Sequence, residues 1–281
     1  MHALPFVFAL LAAVALAPPL RRGLRQAGAT RENFRGRSLP FPFGLLVVAS
    51  AFVALVPVAL LARLAGVDIY PDDIVRVMLF VPGVALLGLA DDALTTGAAP
   101  SGGSPRGLRG HGAAVLGGGF STGALKAAGT VGLALLVASD LPGSDAEFLL
   151  AAAVLVLATN LFNQLDLRPG RSVKVFVLLG IGLIVFSADL GPLASLGVFV
   201  APVLVAGFYD LREEVMLGDT GSNAIGALAG LWLVFTLGTT GQIVALVVLG
   251  ALTAYGELRS ITALVERIAL LRRLDSLGRP R

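Results

Sequence analysis

Apolar stretches near the length of a membrane span alternate with short polar segments along almost the whole chain. A helix that crosses a bilayer needs about 20 apolar residues, and shorter stretches can be extended by interfacial flanks. The pattern predicts an all-α, polytopic membrane bundle of nine transmembrane helices, with eight or ten as alternatives. The predicted spans are 3–20, 41–64, 72–90, 122–139, 147–164, 173–188, 193–209, 222–237 and 241–257.

Composition supports a membrane protein without a separate soluble domain. Hydrophobic residues make up 56% of the chain and charged residues 14%, and the mean hydropathy is +0.88, values typical of membrane proteins. There is no cysteine, which excludes disulfides, thiol nucleophiles and cysteine-based metal sites. We predict one membrane domain over 1–257. The tail 258–281 carries an apolar stripe at helical spacing, which predicts either a basic amphipathic helix on the inner leaflet or a helix that packs against a partner.

The distribution of lysine and arginine predicts the orientation. With the N-terminus outside and nine spans, every basic residue except Arg63 and Arg76 falls on inner segments, as the positive-inside rule requires. The outer loops are acidic instead. We therefore expect a multi-pass protein of the plasma (inner) membrane, with an uncleaved first span.

Polar segments of an unusual kind then meet at the predicted inner face. "GLADD" ends the third span with Asp91 and Asp92, although buried carboxylates are costly in a membrane. The other three segments are "NLFNQLD" after the fifth span with Asn160, Asn163 and Asp166, "LGDTGS" before the eighth with Asp219, and "NFRGRS" before the second with Arg35 and Arg37. On a continuous helix, the two asparagines and Asp166 share an arc of about 120°.

Each of these residues also has a purely structural interpretation. The paired aspartates fit a solvated helix end, the asparagines fit hydrogen bonds between helices, and Asp219 fits a helix cap. The glycine-rich stretch 97–119 is by default a flexible loop, with His111 a loop residue. Taken together on one face, however, the acids, amides and cations indicate phosphoryl transfer at the membrane surface. Two phosphate-bearing anions are brought together there by basic side chains and a divalent cation such as Mg²⁺.

These motifs resemble those of the polyprenyl-phosphate N-acetylhexosamine-1-phosphate transferases, a family that includes phospho-N-acetylmuramoyl-pentapeptide transferase. The resemblance covers residues 30 to 226, in the same order and on the same predicted side. "GLADD" is similar to the family's paired-Asp motif, "NLFNQLD" to its Asn-x-x-Asn-x-x-Asp motif, and "LGDTGS" to its Met-Gly-Asp-x-Gly-Ser motif. The family transfers a sugar 1-phosphate from a UDP-aminosugar to undecaprenyl phosphate with Mg²⁺, releasing UMP.

The resemblance implies a role for each matching residue. Asp219 and Asp166 would bind Mg²⁺, and Asp91, Asp92 and Asp166 would act in catalysis. The implied substrate-binding residues are Asn160, Asn163 and Lys126. We also predict substrate binding by Arg37 and Arg168, because both are basic and lie on the same predicted face. The chain departs from the family pattern at Thr96, where a lysine is usual, and after Asp166, where the sequence reads Leu-Arg-Pro-Gly. It also lacks the family's late histidine-rich loop.

The predicted function is therefore this transfer, in the synthesis of cell-wall or envelope glycopolymers such as peptidoglycan. The alternatives are a non-catalytic relative that binds polyprenyl phosphate or acts as a scaffold, and a membrane transporter. We expect the lipid bilayer, undecaprenyl phosphate and a UDP-aminosugar as partners, and no nucleic acid. A homodimer stays open, as do the donor sugar and the glycopolymer.

Overall fold

The structure, a computed structural model, describes residues 3–95 and 121–280. In these residues nine helices of 17 or more residues follow one another in the order of the nine predicted stretches. They are α1 (Leu4–Gln26), α2 (Leu45–Leu64), α3 (Ile74–Thr95), α4 (Thr122–Ala138), α5 (Asp145–Leu165), α6 (Arg171–Ser187), α7 (Gly191–Leu211), α8 (Gly218–Thr236) and α9 (Thr239–Leu258). A short antiparallel hairpin, β1 (Thr30–Glu32) and β2 (Ser38–Pro40), lies between α1 and α2.

Six of the described helices, namely α1, α2, α3, α5, α7 and α9, are long and apolar enough to cross a membrane by length and composition. Helix α4 is apolar but shorter. The prediction of an all-α bundle suited to a membrane is therefore supported at the level of fold class. Nine spans, the outside N-terminus and the choice of membrane stay predictions.

Helix α8 lies at the centre of the bundle. Its residues from Thr220 to Val234 are all buried, as expected for a helix with neighbours on every side. It packs against α3, α5 and α6, and small residues allow these helices to approach closely. A Cβ atom at Gly88 of α3 would lie 2.4 Å from the backbone oxygen of Asp219, and one at Gly226 would lie 2.6 Å from the Cα atom of Thr159.

The segment between α1 and α2 is attached to the segment that leads into α8. The backbone N–H of Phe43 donates to the oxygen of Met216 at 2.8 Å, and that of Gly44 donates to the oxygen of Leu217 at 2.9 Å. The start of α8 is therefore held by α3 on one side and by this segment on another.

The C-terminal segment forms two short helices, α10 (Ile261–Arg267) and α11 (Ala269–Ser276), so the prediction of a single tail helix is wrong. The backbone at Ile268, between them, is extended. The break brings both helices against Arg171, whose guanidinium donates to Thr262 Oγ1 at 3.0 Å and forms an ion pair with Asp275 at 2.8 Å. The apolar stripe alone did not reveal this anchor, which lies about a hundred positions away in the sequence.

Candidate functional site

Polar residues from three helices meet at one end of the bundle around Lys126. The Lys126 Nζ atom, near the start of α4, lies 3.4 Å from Asp91 Oδ2 at the end of α3. The same ammonium group forms a closer ion pair with Asp219 at the start of α8. The side chains of all three residues are at most 30% exposed. Three of the predicted site residues are thus in one cluster, with a cation between two carboxylates.

Asp92, the neighbour of Asp91, has a different environment. It is 2% exposed, and its carboxylate accepts hydrogen bonds from the first turn of α8: from the N–H of Asp219 at 3.0 Å, and from the N–H and the hydroxyl of Thr220 at 2.9 and 2.7 Å. A carboxylate at a helix N-terminus is stabilised by free N–H groups and by the helix dipole. Asp92 therefore caps α8 from another helix. The side chain of Asp219 pairs instead with Lys126.

Two cavities flank the cluster. The first, which we call the amide cavity, has a volume of about 290 Å³ and lies between α4, α5, α8 and α9. Its lining includes Asp91, Lys126, Thr130, Thr159, Asn160, Asn163 and Asn223. The second, which we call the acidic cavity, has a volume of about 240 Å³, and its lining includes Asn163, Asp166, Arg168, Asp210 and Asp219.

The two cavities adjoin at the cluster. Asn163 lines both of them and donates from Nδ2 to Ser222 Oγ at 3.2 Å. Lys126 of the amide cavity is bonded to Asp219 of the acidic cavity. All the site residues predicted from the sequence, except Asp92 and Arg37, therefore line one or both of two adjoining polar spaces.

The loop that carries Asp166 is held from several directions. Asp166 accepts a hydrogen bond from Ser172 at 2.9 Å, and the N–H of Gly170 donates to Asp210 Oδ2 at 2.6 Å. The Arg279 side chain in the tail donates to the Pro169 oxygen at 2.8 Å. Burial raises the pKa of Asp166 well above its ordinary value, and the negative charge of Asp210 raises it further. A cation beside Asp166 would oppose both effects by favouring the charged form.

The two arginines predicted to bind substrate differ. Arg168 lines the acidic cavity and stacks on Phe34, with its guanidinium carbon 4.6 Å from the ring centre. Arg37 is 54% exposed and lies 3.7 Å from Glu213, whose side chain is fully buried. Arg35 also pairs with Glu213, at 3.3 Å. Within the described structure, Arg37 therefore contributes to holding the hairpin, and its role in substrate binding stays a prediction.

Two residues with functional potential were missed from the sequence. Asp210 at the end of α7 is 4% exposed and lines the acidic cavity. The sequence did contain a signal for Asp210. Like Asp91, it is a carboxylate at the end of an apolar stretch. Asn223 lines the amide cavity and directly follows the "LGDTGS" motif, where the apolar sequence of α8 begins. The predictions for Thr96, the stretch 97–119 and His111 lie outside the described residues.

The carboxylates that line the acidic cavity are oxygen ligands of the kind that Mg²⁺ prefers. Among the described residues, no group of three or more His, Cys, Asp or Glu side chains is arranged to hold a metal ion. Mg²⁺, however, usually keeps several waters and binds one or two protein carboxylates together with substrate phosphate. Asp166 and Asp219 line the same cavity, so the available carboxylates fit that pattern.

Comparisons with known proteins do not identify a family. No protein-family model matches this sequence, and no curated protein matches it either. The function is therefore argued from the geometry of the site and from the resemblance in three short motifs.

Proposed function

We propose that this chain transfers a sugar 1-phosphate from a UDP-aminosugar to undecaprenyl phosphate at the cytoplasmic face of the plasma membrane. An oxygen of the lipid phosphate would attack the β-phosphorus of the donor, forming a new diphosphate bond. The bond from that phosphorus to the oxygen of UMP would break, and UMP would leave. The supporting observation is the cluster of Asp91, Lys126 and Asp219, which joins two polar cavities at one end of an apolar bundle.

The chemistry of this reaction explains why such a cluster would be useful. Both reactants are anions, so they need cations to approach each other. Lys126 would provide one positive charge, and Arg168 a second at the acidic cavity. Asp166 and Asp219 would hold Mg²⁺, which when bound would neutralise the charge of the diphosphate. Asp91 would orient the lipid phosphate from the other side of Lys126.

A non-catalytic lipid-phosphate-binding protein is the second candidate. One observation favours it: the ammonium group of Lys126 already forms ion pairs with both Asp91 and Asp219. In a protein that only binds a lipid phosphate, this ion cluster would be permanent and Mg²⁺ would not be required. A transporter has less support, because the ionisable residues of the site lie near helix ends rather than in the middle of the apolar helices.

The test is a UMP-release assay with purified protein in nanodiscs, undecaprenyl phosphate, Mg²⁺ and a panel of UDP-sugars. We expect UMP only when the lipid, a UDP-aminosugar and Mg²⁺ are all present. The Asp219→Asn variant should lose the activity, because an amide brings no negative charge to Mg²⁺. The matched control is Asp68→Asn, at an exposed aspartate far from the cluster, which should keep it.

Each alternative has its own outcome. Lipid-phosphate binding without UMP release from any UDP-sugar would support the non-catalytic protein instead. Wild-type activity and wild-type Mg²⁺ dependence in Asp219→Asn would remove Asp219 from the metal site.

A further inference from the structure

Asn223 presents a buried amide nitrogen for which the described part of the chain offers no hydrogen-bond partner. The residue is 1% exposed in the first half of the central helix α8. Its Nδ2 group is a donor only, and no acceptor among the described residues pairs with it. A buried unpaired polar group is costly, and such groups in folded proteins call for an explanation.

The cavity that Asn223 lines suggests which kind of ligand its amide could bind. Asn223 lines the amide cavity together with Thr130, Thr159, Asn160 and Asn163. These side chains are neutral, and each can donate or accept hydrogen bonds. The volume of about 290 Å³ is at the lower end of small-molecule sites, which run from about 300 to 1,000 Å³. The lining also includes the charged residues Asp91, Lys126 and Glu257. Because amides, hydroxyls and carboxylates all form hydrogen bonds with hydroxyl groups, size and chemistry fit a hydroxyl-rich ligand about as large as one sugar ring.

The position of the cavity connects it to the transfer reaction. Asp91 and Lys126 belong to its lining, and Lys126 is bonded to Asp219 of the acidic cavity. A diphosphate held at Lys126 would therefore lie between the amide and hydroxyl groups of the amide cavity and the carboxylates of the acidic cavity. The sugar of a UDP-sugar is attached directly to that diphosphate.

We infer that the amide cavity binds the sugar ring of the donor, and that Asn223 donates a hydrogen bond from Nδ2 to an oxygen of that sugar. The inference rests on the proposed function, because it uses the same donor and the same Lys126. It adds to that function the cavity that receives the sugar of the donor and a residue that determines the affinity for the donor.

The experiment is direct binding, measured by calorimetry on the full chain in nanodiscs, with UDP-N-acetylglucosamine and UDP as probes. Replacing Asn223 by leucine, a side chain of similar size, removes the donor. We expect Asn223→Leu to bind UDP-N-acetylglucosamine about tenfold more weakly, as for one lost hydrogen bond of 1.4 kcal/mol. Binding of UDP should not change. The melting temperature should stay the same or rise, since a buried unpaired group is removed.

The matched control is Thr253→Val on α9. Thr253 Oγ1 is also buried without a partner among the described residues, but Thr253 is not part of the lining of the amide cavity. This variant should leave the affinity for both probes unchanged. Asn223→Ser, which shortens the side chain, should weaken only UDP-N-acetylglucosamine, and it replaces the leucine variant if that one fails to fold.

Two results would overturn the inference. One is wild-type protein that binds UDP-N-acetylglucosamine no more tightly than UDP. The other is an Asn223→Leu variant with unchanged affinity, which would mean that Asn223 pairs with an ordered water only. With UMP release intact in the wild type, either result leaves the proposed function standing. Asn223-dependent sugar binding without UMP release would support the cavity assignment and contradict the transfer reaction.

Discussion

Replacement by asparagine should have different effects at the adjacent residues Asp91 and Asp92. It should mainly reduce turnover at Asp91 and mainly reduce stability at Asp92. The carboxylate of Asp92 accepts three hydrogen bonds from Asp219 and Thr220 at the start of α8. An asparagine has only one acceptor oxygen, so its NH₂ group would face one of these buried donors. We therefore expect Asp92→Asn to destabilise the fold, whereas the sequence alone predicted a catalytic role for Asp92.

The magnitude follows from the contacts that are lost. One buried donor without an acceptor costs about 1–3 kcal/mol, and the lost attraction between the carboxylate and the helix dipole adds about 0.3–1 kcal/mol. A total of about 1–4 kcal/mol corresponds to a fall of roughly 3–16 °C in melting temperature for a chain of this size. Asp91 makes a partly exposed ion pair with Lys126, which is worth about 0–1 kcal/mol. Asp91→Asn should therefore melt within about 4 °C of wild type.

The assay compares thermal unfolding of both variants in the same nanodiscs, beside the UMP-release rate. Asp91→Asn should lose about 10²-fold in turnover, as expected when a group that orients or activates a reactant is removed, with little change in melting temperature. Asp92→Asn should show the larger fall in melting temperature. The reasoning is refuted if Asp92→Asn melts with the wild type, or if Asp91→Asn is the less stable of the two.

Three further predictions concern packing, the tail and orientation. Gly88→Ala would place a methyl group 2.4 Å from a backbone oxygen at the start of α8, so we expect lower stability and less UMP release; wild-type values for both would refute this close contact. Burial alone would raise the pKa of Asp275, but hydrogen bonds and positive charge from Arg171 and Arg279 lower it to about 2. The tail should therefore stay attached to Arg171 until the pH falls from about 4 towards 2. Asp275→Asn should expose the tail to proteolysis at neutral pH, and equal protection in both proteins would contradict the anchor. Cysteines introduced at exposed Ser139 and Ser276 should differ in labelling by an impermeant thiol reagent on intact cells: only the first should react, and the reverse pattern would invert the orientation.

The helices were predictable because their signal is local. Each predicted apolar stretch overlaps one described helix, for example 147–164 and α5 (Asp145–Leu165). The site was also largely predictable from local signals. Polar residues at the same ends of membrane-spanning helices must lie at a similar depth in the membrane. That argument correctly grouped Asp91, Asn163 and Asp219, whereas Lys126, which joins Asp91 to Asp219, was named only through the family resemblance.

The parts that were not predictable depend on contacts between distant segments. The role of Asp92 depends on backbone N–H groups of α8 more than 120 positions away. The break at Ile268 accompanies the binding of both tail helices to Arg171. Arg37 was assigned to substrate because it is basic, whereas the structure places it beside the buried Glu213. No periodicity in the sequence reports such pairings.

The most direct test of the central claim follows the phosphorus atom that is transferred. The measurement uses a UDP-aminosugar labelled with ³²P in the β-phosphate, incubated with the protein, undecaprenyl phosphate and Mg²⁺. We predict that the label moves into the lipid fraction as a sugar-linked diphosphate while unlabelled UMP is released. Label that appears in UDP would mean that the sugar moves without its phosphate, and label that stays in the donor would mean that no transfer occurs. Either result would contradict sugar 1-phosphate transfer.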